Sequence, residues 1–144
     1  MIVYLDTSAL VPLLVSEPGT TTSRDLWDNA DQVVTVRLTF VEATAALARA
    51  LRLERVSASA YESALLSLDT LWSELTVIEV DEHLMRAAAR SATDHDLRGY
   101  DAVQCAAAQG ASGSEFVAAT GDRALLAAWT ANGITTVDAS LSSS

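Results

Sequence analysis

Four acidic residues stand where an alternation of apolar runs and helix-like stretches would gather its chemistry. Asp6 follows the run IVYL in MIVYLDTSAL, and Glu42 lies one turn into the helix expected after a second strand. Asp101 starts the small-residue segment after Gly99 in RGYDAVQCAAA, and Asp122 follows an apolar run in ATGDRAL. Carboxylates offer only oxygen donors, which suit a hard divalent cation such as Mg²⁺ or Mn²⁺. Crowded into one cleft, they cannot all ionise at neutral pH unless a cation offsets the repulsion. Each acid also has a plain structural reading. Asp6 and Asp101 can serve as helix N-caps, stabilising by about 1 kcal/mol each. Thr39 and Glu42 have capping-box spacing, and Asp122 complements a helix dipole. Taken one at a time, capping accounts for all four; taken together, the acids imply a shared site if the fold brings them to one edge.

The elements that must do so are legible as patterns. Residues 2–5 read as a short buried strand, and 7–15 as a helical stretch shortened or kinked by Pro12. SEPGT at 16–20 is turn chemistry leading into a second helix through Trp27. The β-branched run QVVTV at 32–36 is a second strand. Residues 40–55 and 57–75 carry helical periodicity, the latter through Tyr61, Leu65, Leu68 and Trp72. A third strand at 76–80, a helix over 81–94 and a helix after Gly99 follow. A fourth strand at 115–119, a helix over 123–129 and a last strand at 134–137 complete the chain. This alternation predicts an α/β domain whose parallel sheet of four to five strands is covered on both faces. Ligands of such sheets bind beyond the carboxyl ends of the strands, near the switch in strand order. One domain over 1–140 is expected, with residues 141–144 a frayed tail.

Composition narrows the classes. The net charge is −10, and all nine basic residues are arginine. Without lysine, a Walker phosphate loop, a Schiff-base enzyme and a phospho-receiver domain are excluded. Nucleic acid is not an obvious partner for so acidic a chain unless bound cations offset the local repulsion, and a basic protein partner is a natural one. A single cysteine forbids an internal disulfide and suits a reducing, cytoplasmic setting. Neither a signal peptide nor a membrane span is expected, because Asp6 interrupts the first apolar run and no basic segment precedes it.

Four segments, DTSAL at 6–10, LTFVEATAALAR at 38–49, LRGYDAVQCAAA at 97–108 and TGDRAL at 120–125, together resemble the PIN-domain ribonucleases. The resemblance is greatest to VapC-type toxins of bacterial toxin–antitoxin pairs, in matching order over nearly the whole chain. It implies a three-layer α/β/α fold and an acidic quartet of Asp6, Glu42, Asp101 and Asp122. It further implies a Mg²⁺-dependent endoribonuclease, with Mn²⁺ as a substitute, working through metal-activated water to leave a 5′-phosphate and a 3′-hydroxyl. Asp6 and Asp101 are then the expected direct ligands, with Glu42 and Asp122 binding directly or through water. Thr120 is the hydroxyl commonly found two residues before the last acid, and Thr7 and Arg98 are candidates to support the site or touch substrate. Arg37 stands where many relatives have a small hydroxyl residue. RNA, a VapB-like antitoxin and a second copy of the chain are the implied partners.

Other residues favour plainer roles. His83 and His95 belong to helix surfaces or ends, and Cys105 reads as a small core residue. Ser8 and Thr7 lack the glycine elbow and histidine of a serine hydrolase. Arg49, Arg52 and Arg55 complement a helix C-terminus more readily than they contact RNA, and the three tryptophans read as core or dimer surface. Among rival readings, a haloacid-dehalogenase-type phosphatase needs an aspartate at position 8, which is serine. A metal-dependent adhesion module needs a serine at position 10, which is leucine. An inactive PIN domain that acts by binding is the third.

Overall fold

The computed structural model describes residues 1–142. Five parallel strands, β1 (Ile2–Leu5), β2 (Gln32–Val36), β3 (Thr76–Ile78), β4 (Phe116–Thr120) and β5 (Thr136–Asp138), form one sheet in the order β3-β2-β1-β4-β5. The first three strands build outward from β1 on one side, and β4 and β5 return to its other side. The switch in strand order therefore falls between β1 and β4, whose register pairs Leu5 with Ala119.

Alternation along the strands divides the core. Val3, Leu5, Val33 and Ala119 face one layer, made by α1 (Thr7–Leu10), α2 (Thr20–Asn29), α3 (Leu38–Arg52) and α4 (Ala58–Glu74). Tyr4, Val34, Val36 and Ala118 face the other, made by α5 (Glu82–His95), α6 (Gly99–Ala111) and α7 (Arg123–Ala131). The expected three-layer α/β/α architecture is present, with the central strand β1 buried on both faces, as its unbroken apolar run requires. Trp129 is fully buried and meets Tyr4 edge-to-face, with ring centroids 5.8 Å apart. Trp72 instead packs on Phe40 beside a surface groove shared with Val41 and Val80. Cys105 is buried, His83 is exposed near the start of α5, and His95 is its last residue.

Several boundaries differ from the sequence reading for identifiable reasons. The helix expected over 7–15 stops at Leu10 and tightens into a 3₁₀ turn, Val11–Leu13, with Pro12 near its start. The long helix begins at Leu38 rather than 40, because Arg37 already has helical backbone angles at the end of β2. It ends at Arg52, just before Glu54 turns left-handed (φ 58°). Glu115, also left-handed (φ 55°), cannot join a strand, so β4 starts at Phe116. The third strand ends at Ile78, and the last runs 136–138 rather than 134–137, leaving Ile134 to fill the core. Of the expected frayed tail, residues 143 and 144 lie outside the described residues. Thr22 Oγ1 donates to the Leu141 carbonyl and Ser142 Oγ to that of Pro18.

Gly19 shows why the turn before α2 needs its glycine. A Cβ there would overlap the backbone carbonyl oxygen of Ala139, just beyond β5. Gly19→Ala is therefore expected to cost about 1–3 kcal/mol through forced backbone displacement. The melting temperature should fall by several degrees in calorimetry, while Gly113→Ala, in open space, should leave it nearly unchanged.

Candidate active site

All four acids reach one cavity of about 340 Å³ at the carboxyl edge of the sheet, over the switch point. Asp6, Glu42, Asp101 and Asp122 line it, with Thr7, Ser8, Glu17 and Gln104 among their neighbours. The strand ends deliver two of the acids. Asp6 follows β1, and its backbone N–H donates to the Ala119 carbonyl of β4 at 3.2 Å. Asp122 follows the end of β4 after one glycine. The other two ride on helices whose N-termini open toward this edge, Glu42 on α3 and Asp101 on α6.

The capping readings separate the four. Asp6 and Asp122 do cap: Asp6 Oδ1 accepts from the Ala9 N–H at 3.0 Å, and Asp122 Oδ1 from that of Leu125 at 3.0 Å. Asp101 does not; Arg98 is the N-cap of α6, and Asp101 sits in its first turn. The capping box is absent as well. Arg37 holds the N-cap of α3, and the buried Thr39 hydroxyl accepts from Thr35 Oγ1 and Gln104 Nε2 instead. Glu42 and Asp101 are thus acids at helix starts with no capping bond to justify them.

Asp6 is the most constrained of the group, at 5% exposed. Thr120 Oγ1 donates to its Oδ2 at 2.6 Å, and Ser8 Oγ to its Oδ1 at 2.8 Å. The Gly121 N–H donates to Ser8 Oγ at 2.7 Å and the Asp122 N–H to Thr120 Oγ1 at 3.0 Å, so the turn after β4 is tied to the turn after β1. Burial nevertheless pushes the Asp6 carboxyl up to about 7, against the three donors that favour its charge, and Glu42 adds repulsion. Asp101 is raised too, first by burial and then by Asp122 and Glu42, with Arg98 opposing. Burial is the larger cause at both residues, and the neighbouring carboxylates add to it.

Thr7 Oγ1 donates to Glu42 Oε1 at 2.8 Å, which gives the expected supporting role a definite partner. Arg98 is exposed at the start of α6 and does not line the cavity. Arg37 turns away to pair with Glu79 on the surface. Two polar residues here were missed in the sequence. Ser8, which in sequence reads as a nucleophile without partners or as the serine of an adhesion-type metal motif, has a hydroxyl that bridges Asp6 to the Gly121 turn. Gln104 is 2% exposed and donates to Glu42; its signal was a lone amide in an otherwise apolar stretch, one turn below Asp101. Glu17, from the SEPGT turn, is a fifth acid on the rim, and nothing in its sequence context set it apart.

An all-oxygen donor set with unfilled capacity fits a hard divalent cation. Among the described residues, no three such side chains already stand close enough together to hold one. Ligation therefore requires side-chain rotation at Glu42, Asp101 or Asp122, which are half-buried.

Comparison with known proteins identifies the family and the fold. The PIN domain family model matches residues 3–129. Ribonuclease VapC45 of Mycobacterium tuberculosis is 35% identical over 124 residues, covering 86% of each protein. The crystal structure of PAE2754 from Pyrobaculum aerophilum superposes with a TM-score of 0.70 at 27% identity, covering 96% of this chain and 85% of that one. DNA-bound VapBC from Salmonella typhimurium shares the fold, with a TM-score of 0.68 at 16% identity over 96% and 98% of the two chains. The chain belongs to the PIN-domain family, and its sequence relatives are VapC proteins.

Asp6 also makes a stability prediction. An acid raised from 3.8 to about 7 on folding keeps a proton that the unfolded chain has lost, so native stability falls between roughly pH 4 and 7 and stays low above. The loss is at most about 4 kcal/mol. Asp6→Asn should therefore raise the metal-free melting temperature at pH 8 and leave it nearly unchanged at pH 4.

Proposed function

We propose that the protein is a Mg²⁺-dependent endoribonuclease of the VapC toxin type, restrained by a VapB-like antitoxin. The observation that carries this reading is the meeting of Asp6, Glu42, Asp101 and Asp122 in one cavity, two of them with no capping bond to explain them. The VapC45 relative supports RNA as the substrate class, and the VapBC complex of the same fold supports an antitoxin partner. Asp6 and Asp101 are the proposed direct ligands, with Glu42 and Asp122 completing the sphere directly or through water, and Mn²⁺ substituting. A bound Mg²⁺ supplies a water of lowered pKa and polarises a phosphoryl oxygen.

The chain's own residues do the rest. Thr120 and Ser8 hold the Asp6 carboxylate between two turns, so that its position does not depend on rotamer freedom. Thr7 holds one oxygen of Glu42. The negative lining repels RNA until a cation is present, which makes metal binding a condition for substrate entry as well as for chemistry. A basic antitoxin side chain fits the same electrostatics. A homodimer and a cytoplasmic setting belong to this proposal; among the described residues, no helix is long and apolar enough to cross a membrane.

Purified protein incubated with a mixed RNA pool tests the reading. Cleavage is expected with Mg²⁺ or Mn²⁺ and none with EDTA. Asp6→Asn and Asp101→Asn should each lower the rate by at least about 10²-fold, the scale on which loss of one transition-state-stabilising group acts. RNA left intact, or cleaved equally by the variants, would overturn it in favour of a non-catalytic metal-dependent binding module.

A further inference from the structure

We propose that Gln104 is a positioning residue that fixes the orientation of the Glu42 carboxylate at the cleft, and thereby how strongly the site holds a divalent cation. The proposal rests on the metal-dependent reading above and adds a residue to it.

Gln104 lies on α6, three residues after Asp101 and so on the same side of that helix. Its surroundings orient the amide without ambiguity. The nitrogen faces Glu42 and the oxygen faces the Tyr4 hydroxyl, which donates to it. Nε2 donates to Glu42 Oε1 at 2.7 Å and to Thr39 Oγ1 at 2.9 Å. Oε1 accepts from the buried Tyr4 hydroxyl at 2.6 Å. Both hydrogens and the carbonyl are engaged, and the side chain has no freedom to turn over.

The consequence falls on Glu42. Thr7 Oγ1 and Gln104 Nε2 both donate to the same oxygen, Oε1. Among the described residues, Oε2 accepts no hydrogen bond. One oxygen is anchored from the protein side by a hydroxyl and an amide, and the other is left for the cleft. This is how partners behind a ligand orient it for an ion, and losing one typically weakens metal binding 10- to 100-fold. The anchor is uncharged, so it directs Glu42 without neutralising it. An arginine in its place would have held the carboxylate and cancelled the charge that attracts the cation.

A purely structural role is separable, because Gln104 also completes the Tyr4 hydroxyl deep in the core. Gln104→Met keeps the length and removes the amide's bonds to Glu42 and Thr39, but strands the Tyr4 hydroxyl. Removing both partners of a buried hydrogen bond is far less costly than removing one. Tyr4→Phe/Gln104→Met should therefore recover most of the thermal stability that Gln104→Met loses. Mn²⁺ binding to the purified protein, followed by calorimetry and electron paramagnetic resonance without RNA, is the readout. The double variant should bind Mn²⁺ about 10- to 100-fold more weakly than wild type despite its restored stability. Tyr4→Phe alone should stay within about 3-fold. Cleavage by the double variant should approach the wild-type rate at saturating Mn²⁺, which places the defect in metal affinity.

Wild-type Mn²⁺ affinity in the double variant would overturn the proposal and leave the nuclease reading standing. Absence of Mn²⁺ binding by the wild-type protein would overturn both.

Discussion

A carboxylate held almost out of water at the end of the central strand is the constraint around which this fold is organised. Asp6 cannot move toward solvent, because β1 is buried on both faces and its last backbone bonds run to β4. Its charge is disfavoured by burial and by Glu42, and is sustained only by hydroxyls and one backbone N–H. Such a residue is expensive for a protein whose total stability is on the order of 5–15 kcal/mol. A local rule broken at a strand end, where these sheets bind ligands, is the pattern expected of a functional position.

The protein supports its cleft with neutral donors. Thr120, Ser8, Thr7 and Gln104 all bond to carboxylates there, while among the described residues no arginine lines the cavity. Arginines engage elsewhere: Arg37 with Glu79, Arg86 with Glu82 on the face of α5. Arg98 is the one whose field reaches Asp101. Neutral donors fix geometry and leave the charge in place, so the acids remain available to something that arrives from outside. The overall charge of −10 acts in the same direction.

Much of this was legible because strand and helix periodicities are read from nearest neighbours. The apolar runs at 2–5 and 32–36 announced buried parallel strands, and the acids at 6 and 122 followed from strand ends alone. What was not legible depended on contacts distant in sequence or on single backbone angles. Thr39 looked like half of a capping box with Glu42, and only the partner at 104 shows that it belongs to the core. Asp101 looked like a cap because Gly99 looked like a break, yet the helix begins at that glycine. The supporting roles of Ser8 and Gln104 are not legible in sequence, since a hydroxyl or an amide carries no chemistry until its neighbour is known. Their neighbours lie 112 and 62 residues away, at Thr120 and Glu42.

Four acids from four separate elements meet in one cavity, and the proposed function makes that cavity a cation site. Crystals of the protein soaked in millimolar Mn²⁺ and measured for anomalous scattering test it most directly. A peak is expected within bonding distance of Asp6 and Asp101, with Glu42 and Asp122 bound to it directly or through water. No peak among these four residues, with Mn²⁺ found only at surface carboxylates such as Glu79 or Glu82, would contradict it.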